Sequence, residues 1–147
     1  MKKKLTLLPS SKKLGKDDAI YGLGDKPGCL NKRGYSYVNW NTDDPAPHVD
    51  SFKSLYKSIP FFIVLGDEYC YGIFADNTYK TTFDFGYENT DYYFVEHEKG
   101  ELDYYFMPGN DMAEVVGLYT SLTGTTPLYQ RWIYGSHQSR WGLLYTG

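Results

Sequence analysis

A mainly β fold is predicted by two features of this 147-residue chain: its rhythm of short apolar runs, and an aromatic content of 18% that includes 16 tyrosines. Turn residues separate aromatic and β-branched runs about every ten positions, the pattern of a sandwich or barrel. Aromatic side chains also favour the pleated, half-buried surface of a strand. The length allows one full domain and at most the beginning of a second.

Taken in order, strands are expected at Leu5 to Leu8, Ala19 to Leu23, Leu30 to Asn39, Ile59 to Leu65, Cys70 to Ala75, Lys80 to Gly86, Asp91 to Glu96 and Leu102 to Met107. Each is a short run with apolar or β-branched residues, bounded by Gly, Pro, Asn or Asp. GDEY after FFIVL and EKGE before LDYYFM set Gly and charged residues between apolar runs, so both read as hairpin loops. The pattern then changes. In NDMAEVVGLYTSLTG, Met112, Val115, Val116 and Tyr119 recur at helical spacing, Asn110 or Asp111 can cap, and Gly124 ends the run. One helix is expected over Met112 to Leu122, with Pro127 opening a linker. Beyond it, LYQRWIYGSHQSRWGLLYTG mixes a buried-strand pattern with a glycine-rich end, as at the opening of a new domain.

The net charge of −3 argues against a polyanion partner, because phosphate backbones are gripped by clustered Lys and Arg. Lys2, Lys3, Lys4, Lys12 and Lys13 form the one basic cluster and read as a solvated tail. Cys29 and Cys70 supply neither a disulfide framework nor a tetrahedral metal set, which suggests reduced thiols in a cytoplasm. His48, His97 and His137 share no ligand-like spacing, so no metal or other cofactor is expected. No run reaches the ~18 apolar residues of a membrane span, and the start lacks a signal-peptide core. Neither a nucleic-acid nor a membrane partner is therefore expected.

GLGDKPG lacks both the G-x-G-x-x-G spacing and the Gly-Lys-Ser/Thr ending of phosphate loops, so it reads as a pair of turns. WNTDDPAPHVD is more informative. Two prolines stiffen it, and it sets Trp40, Asn41, Thr42, Asp43 and Asp44 side by side. Such a loop can hydrogen-bond hydroxyls while an aromatic ring covers a sugar face, or it can be an Asx-turn whose side chains bond their own backbone. Asp43 and Asp44 are no catalytic pair. Neighbours on an extended segment point apart, whereas glycoside hydrolysis needs carboxyls facing across ~5 to 9 Å. His137 and Ser139 lack a nucleophile elbow, and Arg140 beside Trp141 suits either a sugar platform or a packed ion pair.

Seven blocks occur together and in order: YGLGDKPGCLNKRG, WNTDDPAPH, LYKSIPFFI, YGIFADNTYKTTFDFG, ELDYYFMPG, YTSLTGTTPL and HQSRW. From Tyr21 to Trp141 the chain closely resembles the N-terminal region of glycoside hydrolase family 31, the family of α-glucosidases and α-xylosidases. The resemblance implies an antiparallel, galactose-mutarotase-like β-sandwich with one C-terminal helix over residues 1–126. Residues 127–147 would then open a (β/α)8 barrel, its first strand ending around HQSRW. Tyr134, Ser136 and the GLLYTG ending depart from the family pattern there.

The resemblance also implies retaining hydrolysis of terminal α-glucosidic linkages by two aspartates. The nucleophile lies in a later stretch resembling D-M-N-E, and the acid–base residue further on; neither stretch occurs in these 147 residues. Because barrel sites are assembled from several strands, the chain alone is expected to be catalytically silent, with no catalytic residue of its own. Its expected contribution is scaffold and part of a substrate loop. Asp43 matches a loop position whose carboxylate binds sugar hydroxyls, with Thr42 and Asn41 beside it. Trp141 matches an aromatic that lines the sugar pocket, and Arg140 supports its strand. The implied partners are an α-glucoside in the complete enzyme, the barrel, and a second copy through any uncovered apolar face. The alternatives are a non-catalytic carbohydrate-binding module and a self-associating structural fragment.

Overall fold

The computed structural model describes residues 10–44 and 47–137. Among these residues, eight strands form two four-stranded sheets, antiparallel throughout. One runs in the order β1 (Ser10–Lys13), β7 (Tyr92–His97), β6 (Thr81–Asp84), β3 (Ser36–Asn39); the other is β2 (Ala19–Gly24), β4 (Ser58–Leu65), β5 (Cys70–Ala75), β8 (Tyr104–Gly109). A single α-helix, α1 (Met112–Thr123), follows. The expected β-sandwich with one helix is the architecture found.

Alternation along the strands builds the space between the sheets. Ile20, Phe62, Val64 and Ile73 from one sheet meet Tyr37, Phe83, Tyr93 and Val95 from the other in one buried cluster. The opposite face of the second sheet carries Phe61, Ile63, Cys70 and Met107, and there Val115 of α1 covers them. The uninterrupted apolar run of β4 follows from this layering, since a strand covered on both faces needs no polar side.

Two glycines let the helix approach. A Cβ on Gly72 would stand 2.7 Å from Val115 Cγ1, and one on Gly109 2.8 Å from Val115 Cγ2. Val115 therefore seats where two strands lack side chains. Beside it, the Tyr119 ring stacks on Phe61 with centroids 4.0 Å apart. At the helix start, Asp111 Oδ1 accepts from Glu114 N at 2.8 Å, while Glu114 Oε2 accepts from Asn110 N at 2.8 Å. This reciprocal cap satisfies donors that the first turn leaves open.

Several expectations require correction. The run Leu30 to Asn39 is a strand only from Ser36, because Gly34 turns the chain at φ 82 and Asn31 Oδ1 accepts from the Ile20 and Arg33 amides. GDEY does join a hairpin, with Leu65 opposite Cys70. EKGE does not: both edges of β7 are already paired, by β1 and β6, so residues 98–103 cross to β8 in the other sheet. Lys12 and Lys13 belong to β1 rather than to a solvated tail. The strand places Lys12 opposite the buried Tyr93, with its ammonium 4.8 Å from the Phe106 ring centre and 5.5 Å from that of Tyr71. An inward-pointing lysine at a sheet edge discourages pairing with another chain. Leu5 to Leu8 and Lys2 to Lys4 lie outside the described residues. So does the end of the expected barrel strand; residues 127–137 contain a 3₁₀ turn, Arg131–Tyr134, and no strand.

Among the buried polar residues of the sandwich is His97. Thr81 Oγ1 donates to the Tyr79 carbonyl at 2.9 Å, so it must accept from His97 Nδ1, 2.7 Å away. That leaves Nε2 buried without a partner among the described residues, and burial holds the imidazole pKa below its ordinary value. Above the unfolded value of about 6.5 both states are neutral and stability is full. As pH falls below it, the unfolded chain takes a proton that the folded chain resists, and stability is lost. Thermal midpoints at pH 7 and 5 should therefore fall further for the native chain than for His97→Gln; equal falls would contradict this account.

Candidate functional site

The connection between β3 and β4 is long, and it is held by its own residues. Its two arms are tied at the base: the Val38 amide donates to Lys53 O at 2.8 Å, and the Thr42 amide to Leu55 O at 3.0 Å. Ser54 Oγ donates to the Trp40 carbonyl, and Thr42 Oγ1 lies 3.2 Å from the same carbonyl and 3.3 Å from Ser54 Oγ. Further out, the Asp44 carbonyl accepts from Tyr56 OH at 2.6 Å and His48 Nε2 at 3.0 Å. The His48 ring packs against Phe52 and Tyr56, with centroids 5.8 and 5.6 Å apart. His48 is thus a brace. No motif or spacing signals this role, because His48, Phe52 and Tyr56 meet only once the loop has folded back.

On this frame Asn41, Thr42 and Asp43 are all exposed. Asp43 has no side-chain partner among the described residues, and neither does Asn41. The Asx-turn alternative therefore does not hold for these two residues. Thr42 is different, since its hydroxyl is engaged with Trp40 and Ser54. Trp141, Arg140 and Ser139 lie outside the described residues, so no geometry joins them to the loop. His137 is exposed, with Nε2 2.6 Å from the Ile133 carbonyl.

The loop leaves from the rim of an open cleft of about 430 Å³. Trp40 and Asn41 form one wall, Ser58 and Pro60 belong to the start of β4, and Thr78 and Tyr79 come from the connection after β5. That last connection is fixed by Asn77, whose Nδ2 donates to the Lys99 and Glu101 carbonyls at 3.0 and 3.1 Å, while its Oδ1 accepts from the Tyr79 amide at 2.7 Å.

The glycine-rich stretch at residues 21–34 is a turn structure, as its motif spacing suggests. Its cations serve the backbone. Lys26 Nζ donates to Val38 O at 3.2 Å, Lys32 Nζ to Lys26 O and Pro27 O at 3.3 and 3.1 Å, and Arg33 Nη1 to Gly15 O and Asp18 O at 2.6 and 3.1 Å. Burial lowers the pKa of Lys26 to about 8 and lowers that of Lys32 as well. Cations committed to carbonyls in this way are a poor cradle for phosphate. Among the described residues no group of three or more His, Cys, Asp or Glu side chains is placed to hold a metal. No helix is long and apolar enough to cross a membrane there either.

Comparison with known proteins places this geometry. The profile of the glycosyl hydrolase 31 N-terminal galactose mutarotase-like domain matches residues 4–84. The chain is 45% identical over 130 residues to α-glucosidase 2 of Bacillus thermoamyloliquefaciens, covering 88% of this chain and 16% of that protein. It is 34% identical over 122 residues to the α-xylosidase XylQ of Lactiplantibacillus pentosus, covering 83% of this chain and 15% of that one. Among solved structures, a GH31 dextranase of Flavobacterium johnsoniae, complexed with isomaltotriose or with glucose, superposes with a TM-score of 0.70. There the identity is 47%, over 77% of this chain and 13% of the dextranase. A cycloalternan-degrading enzyme from Trueperella pyogenes shares the fold, with a TM-score of 0.76 at 17% identity over 86% of this chain and 19% of that one.

Proposed function

Since this chain belongs to the glycosyl hydrolase 31 N-terminal galactose mutarotase-like domains, we propose that it is the sandwich of a retaining glycosidase acting on terminal α-glucosidic linkages. In this reading the sandwich carries the Asn41 to Asp43 loop to the substrate and leaves bond cleavage to a barrel outside it. One observation carries the proposal. Among the described residues, Asp43 stands exposed and unpartnered on a loop whose neighbours are braced from both sides. A carboxylate held out on a fixed frame can accept from sugar hydroxyls without first breaking a bond to its own protein.

Asn41 would assist as a neutral donor and acceptor, and Thr42 would fix the loop, its hydroxyl being already engaged. Trp141 is proposed as an aromatic lining of the same pocket, with residues 127–147 as the opening of the barrel. The flanks of α1 support a large neighbour, because Val116 on one side of its sheet-packed face and Leu118 and Leu122 on the other are each at least 40% exposed. In the complete enzyme that neighbour would be the barrel; in isolated chains it would be a second copy.

Two measurements test the proposal. The 147-residue chain alone should show no turnover of a chromogenic α-glucoside, and turnover that persists after removal of host enzymes would overturn the assignment of cleavage elsewhere. Exchanged for the matching segment of the Bacillus α-glucosidase 2, the chain should support activity, and Asp43→Ala should then raise KM. Loss of a charge-assisted hydrogen bond of about 1.5–3 kcal/mol corresponds to roughly ten- to hundredfold. An unchanged KM would remove Asp43 from the substrate.

A further inference from the structure

β3 ends its sheet, so one side of Val38 faces away from β6, and both of its backbone groups there are taken by other segments. The Val38 amide donates to the Lys53 carbonyl on the returning arm of the loop at 2.8 Å, and the Val38 carbonyl accepts from Lys26 Nζ at 3.2 Å. Lys26 comes from the turn after β2 and is only 9% exposed. Water can satisfy an edge carbonyl, whereas burying a lysine is costly. The ammonium sits where the loop leaves its strand. The next ties outward are those of the Trp40 carbonyl with Ser54 and of the Thr42 amide with Leu55 O.

We infer that Lys26 is a positioning residue for the Asn41 to Asp43 loop, its ammonium fixing the Val38 carbonyl and, through it, the first tie of the frame on which the loop stands. This role rests on the loop meeting substrate in the complete enzyme. Lys26 itself never touches the sugar; it acts through the Val38–Asn39 peptide. A charged donor holds a carbonyl more strongly than a neutral one, so the loop should loosen as Lys26 loses its proton. Burial, the largest influence, lowers its pKa to about 8; Asp25 on the same turn acts to raise it and Lys32 to lower it. Lys32 donates to the Lys26 and Pro27 carbonyls, and Tyr37 OH, pushed up to about 12 by burial, donates to Pro27 O as well. Lys53 directs its ammonium over the Tyr87 ring, and Cys29 Sγ lies 3.9 Å from Tyr35 OH.

The test is a titration of the ¹³C,¹⁵N-labelled chain from about pH 6 to about pH 10, spanning the ordinary lysine value. It is read in ¹³C-detected carbonyl–nitrogen correlations, which do not depend on amide protons, and in a Cys29→Ser background so that no thiol of the turn contributes. The Val38 carbonyl and the Thr42 and Asp43 nitrogens are expected to step together near pH 8. The step should vanish in Lys26→Met. Lys26→Arg, which keeps a charged donor across this range, should hold the loop signals at their low-pH positions, and it serves equally if methionine prevents folding. With the chain exchanged into the Bacillus enzyme, Lys26→Met should raise KM about three- to tenfold and leave kcat within about twofold. A Val38 step that leaves Thr42 and Asp43 unmoved would reduce Lys26 to an edge cap and overturn the inference. So would a step that survives in Lys26→Met or Lys26→Arg. A joint step beside an Asp43→Ala variant of unchanged KM would strike the substrate reading alone, with Lys26 still holding the loop.

Discussion

Replacing Phe62 by alanine should remove about 3–5 kcal/mol of stability. The residue is fully buried in β4, which is paired on both sides, with Phe62 opposite Gly22 of β2 and Ile73 of β5. Its ring meets Phe85 at 4.9 Å, Tyr93 at 5.4 Å and Phe83 at 5.9 Å, so one side chain joins both sheets. A cavity here would be walled by rings of which Phe83 and Tyr93 are held in strands, and such walls collapse poorly. Domains of this size hold roughly 5–15 kcal/mol in total, so the variant should lie close to unfolding. Urea midpoints should fall with little change in slope. Phe62→Leu, which keeps most of the volume, should cost under about 1.5 kcal/mol. A similar loss for leucine and alanine would mean that aromatic geometry, rather than filled space, governs this site.

How far the fold was legible depends on which force set each element. β4 and β5 were legible because their apolar runs and the GDEY turn are local signals, and α1 because its spacing, its cap and Gly124 agree. β1 was not, since SSKK has no apolar alternation; it is a strand because β7 offers an edge and the ring pair Tyr71 and Phe106 receives Lys12. The crossing after β7 was hidden for a related reason. A Gly-containing loop looks alike whether the next strand pairs beside it or opposite it, and only the occupancy of both β7 edges decides.

The candidate site divides in the same way. Asp43 could be singled out from its motif, but whether it was free or spent on its own backbone depended on contacts with residues 48–56 that no spacing rule encodes. Asn39 gave no signal at all. In the sequence it is the polar end of a strand, and its place at the cleft depends on Ser58 and Tyr79, which come 19 and 40 positions later. A cleft made where the β3–β4 and β5–β6 connections meet is a product of topology, and loops positioned by a rigid scaffold are where binding tends to concentrate.

Gly22→Ala should rival the Phe62 truncation, although it adds only a methyl group. Gly22 sits at φ 132, and a Cβ there would stand 2.5 Å from the Phe61 carbonyl oxygen and 2.8 Å from the Phe62 Cα. Both obstacles are backbone of the central strand, so no rotamer change relieves them. The β2–β4 register shifts between Gly22 and Gly24, and Pro60, with no N–H to give, falls in the interrupted part of β4. The conformation should cost alanine about 1–3 kcal/mol, and forcing the strands apart a similar amount. Gly34→Ala separates the two costs: that residue also has positive φ, at 82, but nothing lies within 4 Å of its missing Cβ. Gly34→Ala should therefore show the conformational cost alone, about 1–2 kcal/mol. In urea denaturation Gly22→Ala should fall well below it. Equal midpoints would show that β4 yields without penalty. A yielding β4 would also carry Ser58 and Pro60 with it, and the cleft that they help to form would lose its fixed shape.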